Sequence, residues 1–284
     1  MLRGLYMAGC GMMAEAARND VVANNLANVN TTGFKKDNVA LRAFPELLIR
    51  RINDKGDLNP LTGLLEVTGN HDHSLSEALA AMLAGNPPIV GTLNTGTLVD
   101  EVRTFYDNGV YRATGRKLDL AIAGEGMLVV ETLNGERYTR NGALLLTPEG
   151  RLVTGEGYQV LGQNGPITID PAGYNEEELL IKENGALYLN GEWVEQLRVV
   201  TFPDYTQLRK QGDSLFYLME DAAIQPEVVA QPQIQSGFLE QANVNPVQEM
   251  VKLINVYRAY EANQKVVQAY DSTLEKAVNE VGRL

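Results

Sequence analysis

The C-terminal segment constrains the fold more than any other part of the chain. From Val247 to Val281 it contains neither proline nor glycine. Pro246 precedes it at a position that proline favours in the first turn of a helix, and Asn245 suits the N-cap. Apolar residues then recur every seven positions, with companions three residues further on, as in a helix that packs along a partner. The row is Leu253, Tyr260, Val267, Leu274 and Val281, with Val256, Tyr270 and Ala277 as companions and Asn263 as a polar exception.

A second apolar stripe follows another face of the same predicted helix. It consists of Val247, Met250, Val251, Ile254 and Tyr257. A single partner helix covers only one face of its neighbour, so a helix with two apolar faces needs cover from two directions. The pattern therefore predicts packing among several helices, either within the chain or between chains.

The N-terminal end also has the pattern of an amphipathic helix. Between Leu5 and Val29 there is no proline, and the two glycines, Gly9 and Gly11, lie near the start. Gly33 suits a helix stop. Because short isolated helices are marginal in water, we expect the two terminal helices to pair in a discontinuous, coiled-coil-like domain. The apolar residues at helical spacing are Leu5, Met12, Ala16, Ala23 and Leu26, with Met13 and Ala17 beside them.

The middle of the chain has a different pattern, in which turn signals separate short β-type runs such as Met127 to Val130 and Ile167 to Ile169. Asn-Gly is the preferred pair for tight hairpin turns. Short strands with regularly spaced turns predict a β-rich domain. The Asn-Gly pairs lie at 108–109, 134–135, 141–142, 164–165, 184–185 and 190–191.

The predicted fold class is α+β, with a mainly-β central domain between long terminal helices. In the connector that precedes the β domain, only Leu75 to Leu83 is helix-like. The predicted domains are 1–44, the N-terminal helix of a discontinuous assembly domain; 45–114, an irregular or extended connector; 115–240, the β-rich domain; and 241–284, the C-terminal helix of the assembly domain.

The charge distribution argues against a nucleic-acid partner. The formal net charge is -12, of which residues 45–240 carry -14, while residues 1–44 carry +2 and residues 241–284 are neutral. Phosphate contacts need clustered Lys and Arg, and this sequence has no basic stripe. No run approaches the roughly 20 apolar residues of a membrane span. We therefore expect neither nucleic-acid binding nor membrane insertion.

Cys10 is the only cysteine, so the sequence excludes an internal disulfide and a cysteine-rich metal site. The residues before it superficially resemble a lipoprotein cleavage site. A secretory signal, however, needs an apolar region of about 7–15 residues after a charged start. The stretch before Cys10 is too short and contains Arg3 and Gly4. Taken alone, these features predict a cytoplasmic protein.

Two other functional classes remain open, an enzyme and a surface adhesin. His71 and His73 are the only histidines, and their spacing differs from the His-x-x-x-His that places two ligands on one helix face. A peptidoglycan-acting enzyme needs paired carboxylates in a cleft, and 36 acidic residues make such a pair easy to find by chance. We expect no catalytic residue, cofactor or metal. An adhesin built on the β domain would leave the terminal helices dispensable.

Residues 24–34 read Asn-Asn-Leu-Ala-Asn-Val-Asn-Thr-Thr-Gly-Phe. This stretch resembles the N-terminal signature of the flagellar rod and hook axial protein family. Residues 243–250, Asn-Val-Asn-Pro-Val-Gln-Glu-Met, and residues 258–263, Arg-Ala-Tyr-Glu-Ala-Asn, resemble its C-terminal signature. Residues 118–126 and 138–142 are similar to its β domain. The resemblance thus covers both ends of the chain and much of the predicted β domain.

The resemblance is closest to rod-type members, and among them to the distal rod, since no inserted outer domain of the hook type is evident. The connector, residues 45–114, departs from the family pattern. The resemblance implies a non-enzymatic structural subunit of the basal-body rod that polymerises through its terminal helices and transmits torque, with a hook-type subunit as the alternative.

The resemblance also implies a location and partners. Export through the flagellar type III apparatus, without a cleaved signal peptide, would place the protein in the basal body within the cell envelope and replace the cytoplasmic expectation. The partners would be copies of itself, other rod and hook axial proteins, and the export apparatus.

The residues expected to make assembly contacts lie in the two terminal segments. An Asn amide offers both donor and acceptor without charge, so amides can hydrogen-bond between subunits and set their register. Asn24 and Asn28 share one helix face and Asn25 points elsewhere, whereas Arg258 and Glu261 are i,i+3 neighbours that can pair. The predicted set is Asn24, Asn25, Leu26, Ala27, Asn28, Asn30, Gly33, Phe34, Asn243, Asn245, Pro246, Glu249, Met250, Arg258, Tyr260 and Glu261.

Overall fold

In the computed structural model, the chain begins and ends with a long helix, and the segments between the two helices form short strands. Helix α1 spans Leu2–Ala27 and helix α2 spans Pro246–Lys276, after which Ala277–Val281 form a π-helical turn. The structure describes residues 2–43, 47–50, 89–93, 96–169, 179–212, 214–219 and 224–281. His71, His73 and the helix-like piece from Leu75 to Leu83 lie outside the described residues.

The strands between the helices are mostly three to six residues long. They are β1 (Asp37–Ala43), β2 (Leu47–Arg50), β3 (Ile89–Leu93), β4 (Thr97–Thr104), β5 (Tyr111–Ala113), β6 (Leu120–Ala123), β7 (Met127–Thr132), β8 (Gly135–Thr139), β9 (Leu144–Leu146), β10 (Leu152–Thr154), β11 (Gln159–Val160), β12 (Leu179–Ile181), β13 (Ala186–Leu189), β14 (Glu192–Gln196), β15 (Val199–Thr201), β16 (Leu208–Gln211), β17 (Leu215–Leu218), β18 (Glu227–Val228), β19 (Gln233–Ser236) and β20 (Phe238–Glu240). A short 3₁₀ turn, Tyr205–Gln207, precedes β16.

The largest sheet has nine strands, in the order β16-β17-β8-β7-β11-β10-β9, with β15 paired to both β7 and β18. A three-stranded sheet, β12-β13-β14, and four two-stranded sheets, β1-β4, β2-β3, β6-β19 and β5-β20, complete the described strands. The α+β class is therefore confirmed, whereas coiled-coil pairing of the helices stays a prediction.

The described chain forms two units, one of residues 1–11, 42–98 and 266–284, the other of residues 12–41 and 99–265. In the first unit, the ring of Tyr270 lies against Gly4, where a Cβ atom would stand 2.1 Å from the tyrosine hydroxyl oxygen. In the second unit, α1 and α2 flank a common groove. In each unit, therefore, residues of α1 lie close to residues of α2.

Strand β7 lies at the centre of the second unit and is buried on both faces. Leu128 and Val130 face one apolar cluster, while Met127 and Val129 face another. A continuous apolar run is what a strand with two buried faces requires. The predicted run from Met127 to Val130 therefore became the core strand, whereas the run from Ile167 to Ile169 contains one isolated bridge, at Thr168, and is not the predicted strand.

The Asn-Gly pairs fall into two groups. Asn190 has φ 54° and Gly191 has φ 83°, so this pair makes the predicted tight turn between β13 and β14. The pairs at 134–135 and 184–185 also join neighbouring strands, and the pair at 164–165 lies in the turn between the bridged residues Leu161 and Pro166. The pairs at 108–109 and 141–142 do not close hairpins, because they contribute to the contact between the chain ends and the β domain described below.

Helix α2 begins as its sequence predicts. The Asn245 side-chain oxygen accepts hydrogen bonds from the backbone nitrogens of Val247 (3.1 Å) and Gln248 (3.3 Å), and Pro246 occupies the first helical position. The N-cap prediction is confirmed. Glu249 in the first turn adds a favourable interaction with the helix dipole.

The two apolar faces of α2 differ in burial. In the row that repeats every seven residues, Val256 is buried and the other described members are half-buried. The second stripe is exposed throughout, from 50% at Met250 to 68% at Val247. One predicted face is therefore covered within the chain and the other is open.

The apolar row predicted for α1 was partly wrong. Ala16 and Ala23 are exposed, while Ala8, Ala14 and Val22 are buried. An alanine side chain contributes little apolar area, so a row containing two alanines does not fix which face of a helix packs inward.

Core packing in the second unit predicts a matched pair of stability effects. Leu197 is fully buried and Leu133, at the β7–β8 turn, is fully exposed. Leu197→Ala should lower the free energy of unfolding by about 2–5 kcal/mol, because it leaves a cavity, whereas Leu133→Ala should change it by less than about 0.5 kcal/mol. Urea unfolding of the two variants measures the difference; equal effects would contradict the described core.

Candidate functional site

The open stripe of α2 borders a groove shared with α1. The groove has a volume of about 490 Å³ and lies wholly within the second unit. Its lining consists of Asn19 and Ala23 from α1 and Leu253, Ile254, Tyr257, Arg258 and Glu261 from α2. An exposed apolar face beside an apolar-lined groove is typical of a protein–protein contact.

Charged residues flank the open stripe. Arg258 and Glu261, predicted to pair with each other, both line the groove. Among the described residues, the ion pair on α2 is instead the one between the Lys252 ammonium and the Glu249 carboxylate, at 2.6 Å. The other oxygen of Glu249 is buried and has no hydrogen-bond partner among the residues that the structure describes. Tyr260 lies on the half-buried row.

A buried charged junction joins the two chain ends to the β domain. It consists of Lys35, Arg140 and Glu240, none of them more than 5% exposed. The Lys35 ammonium lies 2.7 Å from one Glu240 oxygen, and the Arg140 guanidinium lies 3.3 Å from the other. One carboxylate therefore holds a cation from the N-terminal segment and a cation from the β domain.

Backbone groups complete the junction. The Lys35 ammonium also donates to the Asp107 carbonyl (2.7 Å), and the Gly109 nitrogen donates to Glu240 (2.9 Å). Arg140 donates to the carbonyls of Ile122 and Gly124 and to the side-chain oxygen of Asn108. Buried ions are tolerated when they are paired and hydrogen-bonded, as these are.

Burial lowers the pKa of Lys35, despite the opposing attraction of Glu240. The pKa of this lysine in the folded chain thus lies below its usual 10.5. Between these two values unfolding takes up a proton, so the contribution of Lys35 to stability rises as the pH rises through that range. The cost of desolvating the Lys35 ammonium therefore outweighs its attraction to Glu240.

Gly33 and Phe34 bring the N-terminal segment into place beside the junction. The Gly33 nitrogen donates to the Glu240 carbonyl (2.9 Å), and its φ is 69°. A Cβ atom there would lie 2.4 Å from the Arg140 carbonyl carbon, so the position requires glycine. Phe34 is fully buried with Ala242, and the Lys210 ammonium lies 4.0 Å from its ring.

The asparagines of the N-terminal segment divide into two groups. Asn25 is buried, donates its amide to the Asp37 carbonyl (2.8 Å) and accepts from the Asp37 nitrogen (2.9 Å). Asn28 is buried and donates to the Asn24 carbonyl (3.1 Å). Both fix the turn between α1 and β1. The exposed positions are Asn24, Ala27 and Asn30, while Leu26 is half-buried.

Asn243, in the C-terminal segment, also makes side-chain hydrogen bonds to backbone groups of other segments. Its side-chain oxygen accepts from the Lys36 nitrogen (2.7 Å), and its amide donates to the Phe105 carbonyl (2.8 Å). One side chain thus bonds the N-terminal segment and the residues after β4. The predicted residues Asn25, Asn28, Gly33, Phe34, Asn243 and Asn245 all bond or pack within this chain, whereas Asn24, Asn30 and Met250 remain exposed.

The predicted site set contained none of the three junction residues, Lys35, Arg140 and Glu240. Glu240 lies 205 positions from Lys35 and 100 from Arg140. No local spacing rule reaches across such separations. The local sequence features near the junction were the two Asn-Gly pairs at 108–109 and 141–142, which lie in loops beside Arg140 and Glu240 and which indicate turns only.

The described residues contain no cluster of three or more His, Cys, Asp or Glu side chains suited to a metal ion. Within the same part of the chain, no helix combines the length and apolar character needed to cross a bilayer.

The terminal segments are also not dispensable attachments, because deletion of residues 1–44 would remove Lys35 and leave Glu240 without one of its two buried cations. An adhesin with dispensable ends does not fit this arrangement.

The charged junction predicts a large effect of neutralising Glu240. Glu240→Gln leaves two buried cations without a counter-charge and should lower the free energy of unfolding by about 3–5 kcal/mol. Glu136→Gln is the matched control, because Glu136 pairs with Arg198 on the surface and should matter by only about 0–1 kcal/mol. Urea unfolding at neutral pH distinguishes the two. Similar losses in both variants would show that the junction does not hold the ends in place.

Three sequence models of flagellar proteins match parts of the chain. Residues 5–35 match the flagella basal body rod protein, residues 121–189 the flagellar hook protein FlgE/F/G D1 domain, and residues 235–280 the flagellar basal body rod FlgEFG protein C-terminal region. These segments include α1, the centre of the β domain and α2. The first and last also contain Lys35 and Glu240, two members of the charged junction.

Curated relatives match the chain from end to end. The flagellar basal-body rod protein FlgF of Caulobacter vibrioides is 33% identical and aligns with 100% of this chain and 98% of its own. The flagellar hook-basal body complex protein FlhO of Bacillus subtilis is 30% identical over 100% of both chains, and the rod protein FlgG of that species is 30% identical over 98% and 99%. The chain therefore belongs to the flagellar basal-body rod protein family.

Proposed function

We propose that this protein is a structural, non-enzymatic subunit of the flagellar basal-body rod that polymerises through its terminal helices. The observation that carries the proposal is the open stripe of α2. Its five large side chains are at least half exposed and lie along one face of a long helix. A face of that size and composition needs apolar cover, and a neighbouring axial subunit supplies it.

The groove between α1 and α2 supports the same proposal. A neighbouring helix laid along the stripe would fill the groove with apolar side chains, in the helix-in-groove mode. Arg258 and Glu261 at the groove would then form charge contacts across the boundary and select the register. The exposed amides of Asn24 and Asn30 are placed to add uncharged hydrogen bonds.

The charged junction suits a subunit that bears load. Torque reaches the β domain of a subunit only through residues that join it to the helices. Lys35, Glu240 and Asn243 are among those residues, their contacts are short, and the pair of Lys35 with Glu240 is buried. Charge-assisted hydrogen bonds also have narrow geometry, so they resist shear better than apolar contacts alone. We infer that the junction transmits torque between the helices and the β domain.

The partners and location follow from the family. We propose that the protein assembles with copies of itself and with other rod and hook axial proteins in the basal body. It would reach that site through the flagellar type III export apparatus without a cleaved signal peptide. A hook-type subunit remains the second candidate, because the matched D1 model also describes hook proteins. Electron microscopy of tagged protein in purified basal bodies distinguishes rod from hook.

The proposal predicts that a charge on the open stripe blocks assembly without unfolding the chain. Ile254→Asp should leave the free energy of unfolding of the purified protein within about 1 kcal/mol, because Ile254 is about half exposed. In the cell it should reduce the number of completed rods at least tenfold, since burial of an unpaired carboxylate in an interface is costly. Rods are counted by electron microscopy, and swimming is scored in soft agar.

The matched control is Gln264→Asp, which places the same new charge at an exposed polar position of α2. This variant should assemble and swim. Normal rods in the Ile254→Asp strain, or equal defects in both strains, would contradict assembly through the stripe.

A further inference from the structure

A second exposed apolar surface lies on the three-stranded sheet β12-β13-β14, away from the helices in the sequence. The strand register places Leu180 opposite Tyr188, and Tyr188 opposite Trp193. Leu180 is 54% and Trp193 is 55% exposed. Neighbouring residues on the other face, including Leu179 and Leu187, are fully buried in the core. The sheet thus presents a cross-strand row of large side chains outward, which we call the tryptophan row.

The strands of the tryptophan row are anchored by the buried inner face, and the β13–β14 hairpin closes with the tight Asn190-Gly191 turn. The Lys182 ammonium lies 4.0 Å from the Tyr188 ring centre and so covers one face of that ring. Trp193 remains the freely exposed aromatic side chain of the row. Rigid, exposed Trp and Tyr side chains are the residues that most often dominate binding at protein interfaces.

The tryptophan row has acidic neighbours within its own sheet. Residues 179–196 contain three glutamates and one lysine. Glu183 and Glu192 are exposed, and Glu195 is half-buried. A frame of carboxylates around an apolar centre selects the charge of whatever docks there.

The charge excludes several partners. Nucleic acid and anionic lipid surfaces would be repelled, because both need clustered Lys or Arg. A second copy of this chain would bring one acidic frame near another acidic molecule. We propose that the tryptophan row is a docking surface for a different protein, one with an apolar pocket for the Trp193 indole and a rim of Lys and Arg. This inference does not depend on assembly through the helices.

Photo-cross-linking in the producing cell tests the proposal. In the full chain, p-benzoylphenylalanine replaces Trp193 or, as the control, the fully exposed Leu133 of the β7–β8 turn, which is the more accessible of the two positions. Irradiation should give at least tenfold more product from position 193, joined to a segment of a different protein with an excess of Lys and Arg. Absence of a product, equal yields, a product with a second copy, or a neutral or acidic partner segment would overturn the proposal.

Reversal of one charge beside the tryptophan row tests separately whether the partner has a rim of Lys and Arg. Glu192→Lys, in the chain that carries the cross-linker at position 193, should reduce the yield at least fivefold. Glu149→Lys makes the same change at an exposed site in another sheet connection and should leave the yield unchanged. Equal yields in the two variants would overturn the assignment of a basic partner. Rod counts in both strains should be normal, which separates this test from that of the open stripe.

The single tryptophan allows a further check on the purified protein. Fluorescence of Trp193 is recorded with N-acetylglucosamine oligomers and with vesicles that contain phosphatidylglycerol. Neither should shift the emission. A saturable blue shift with either one would assign the tryptophan row to a glycan or a lipid surface and overturn a protein partner.

Discussion

The carboxylate of Glu240 holds two buried cations, the Lys35 ammonium at 2.7 Å and the Arg140 guanidinium at 3.3 Å. These three residues come from the N-terminal segment, the β domain and the C-terminal segment. Because one carboxylate serves both cations, loss of the C-terminal segment would leave Lys35 and Arg140 unpaired in the interior, and loss of the N-terminal segment would leave Glu240 with Arg140 alone. The positions of Gly33, Phe34 and Asn243 follow from this contact, since each packs or bonds beside it. The ends of both helices are thereby fixed to the β domain.

Fixed helix ends give the two faces of α2 different roles. The apolar row that repeats every seven residues is buried or half-buried within the chain, whereas the second stripe is exposed and lies beside a groove. A helix that floated free could turn either face inward. Once the junction sets where α2 begins, its outward face is determined as well. The chain therefore presents one defined apolar face, which is the surface proposed above for assembly.

Local patterns in the sequence predicted what local forces decide. Asn245 and Pro246 start α2 because capping involves only neighbouring residues. The Met127 to Val130 run became the central strand because a continuous apolar run suits a strand buried on both faces. The α1 row was wrong at Ala16 and Ala23, where alanines gave a weak signal. The junction was beyond local reasoning, because Lys35 and Glu240 meet across 205 residues. Asn25, which resembled a residue for contacts between subunits, bonds its own chain at Asp37, and only the tertiary turn reveals this.

The central claim is that the open stripe of α2 is covered by neighbours in the assembled rod. Cysteine accessibility measures this directly in a chain with Cys10→Ala and Ile254→Cys, since Cys10 is the only native cysteine. The account predicts fast maleimide labelling of position 254 in the purified chain, at least tenfold slower labelling in isolated basal bodies, and recovery when the basal bodies are dissociated in urea. Equal labelling in the free chain and in intact basal bodies would contradict it.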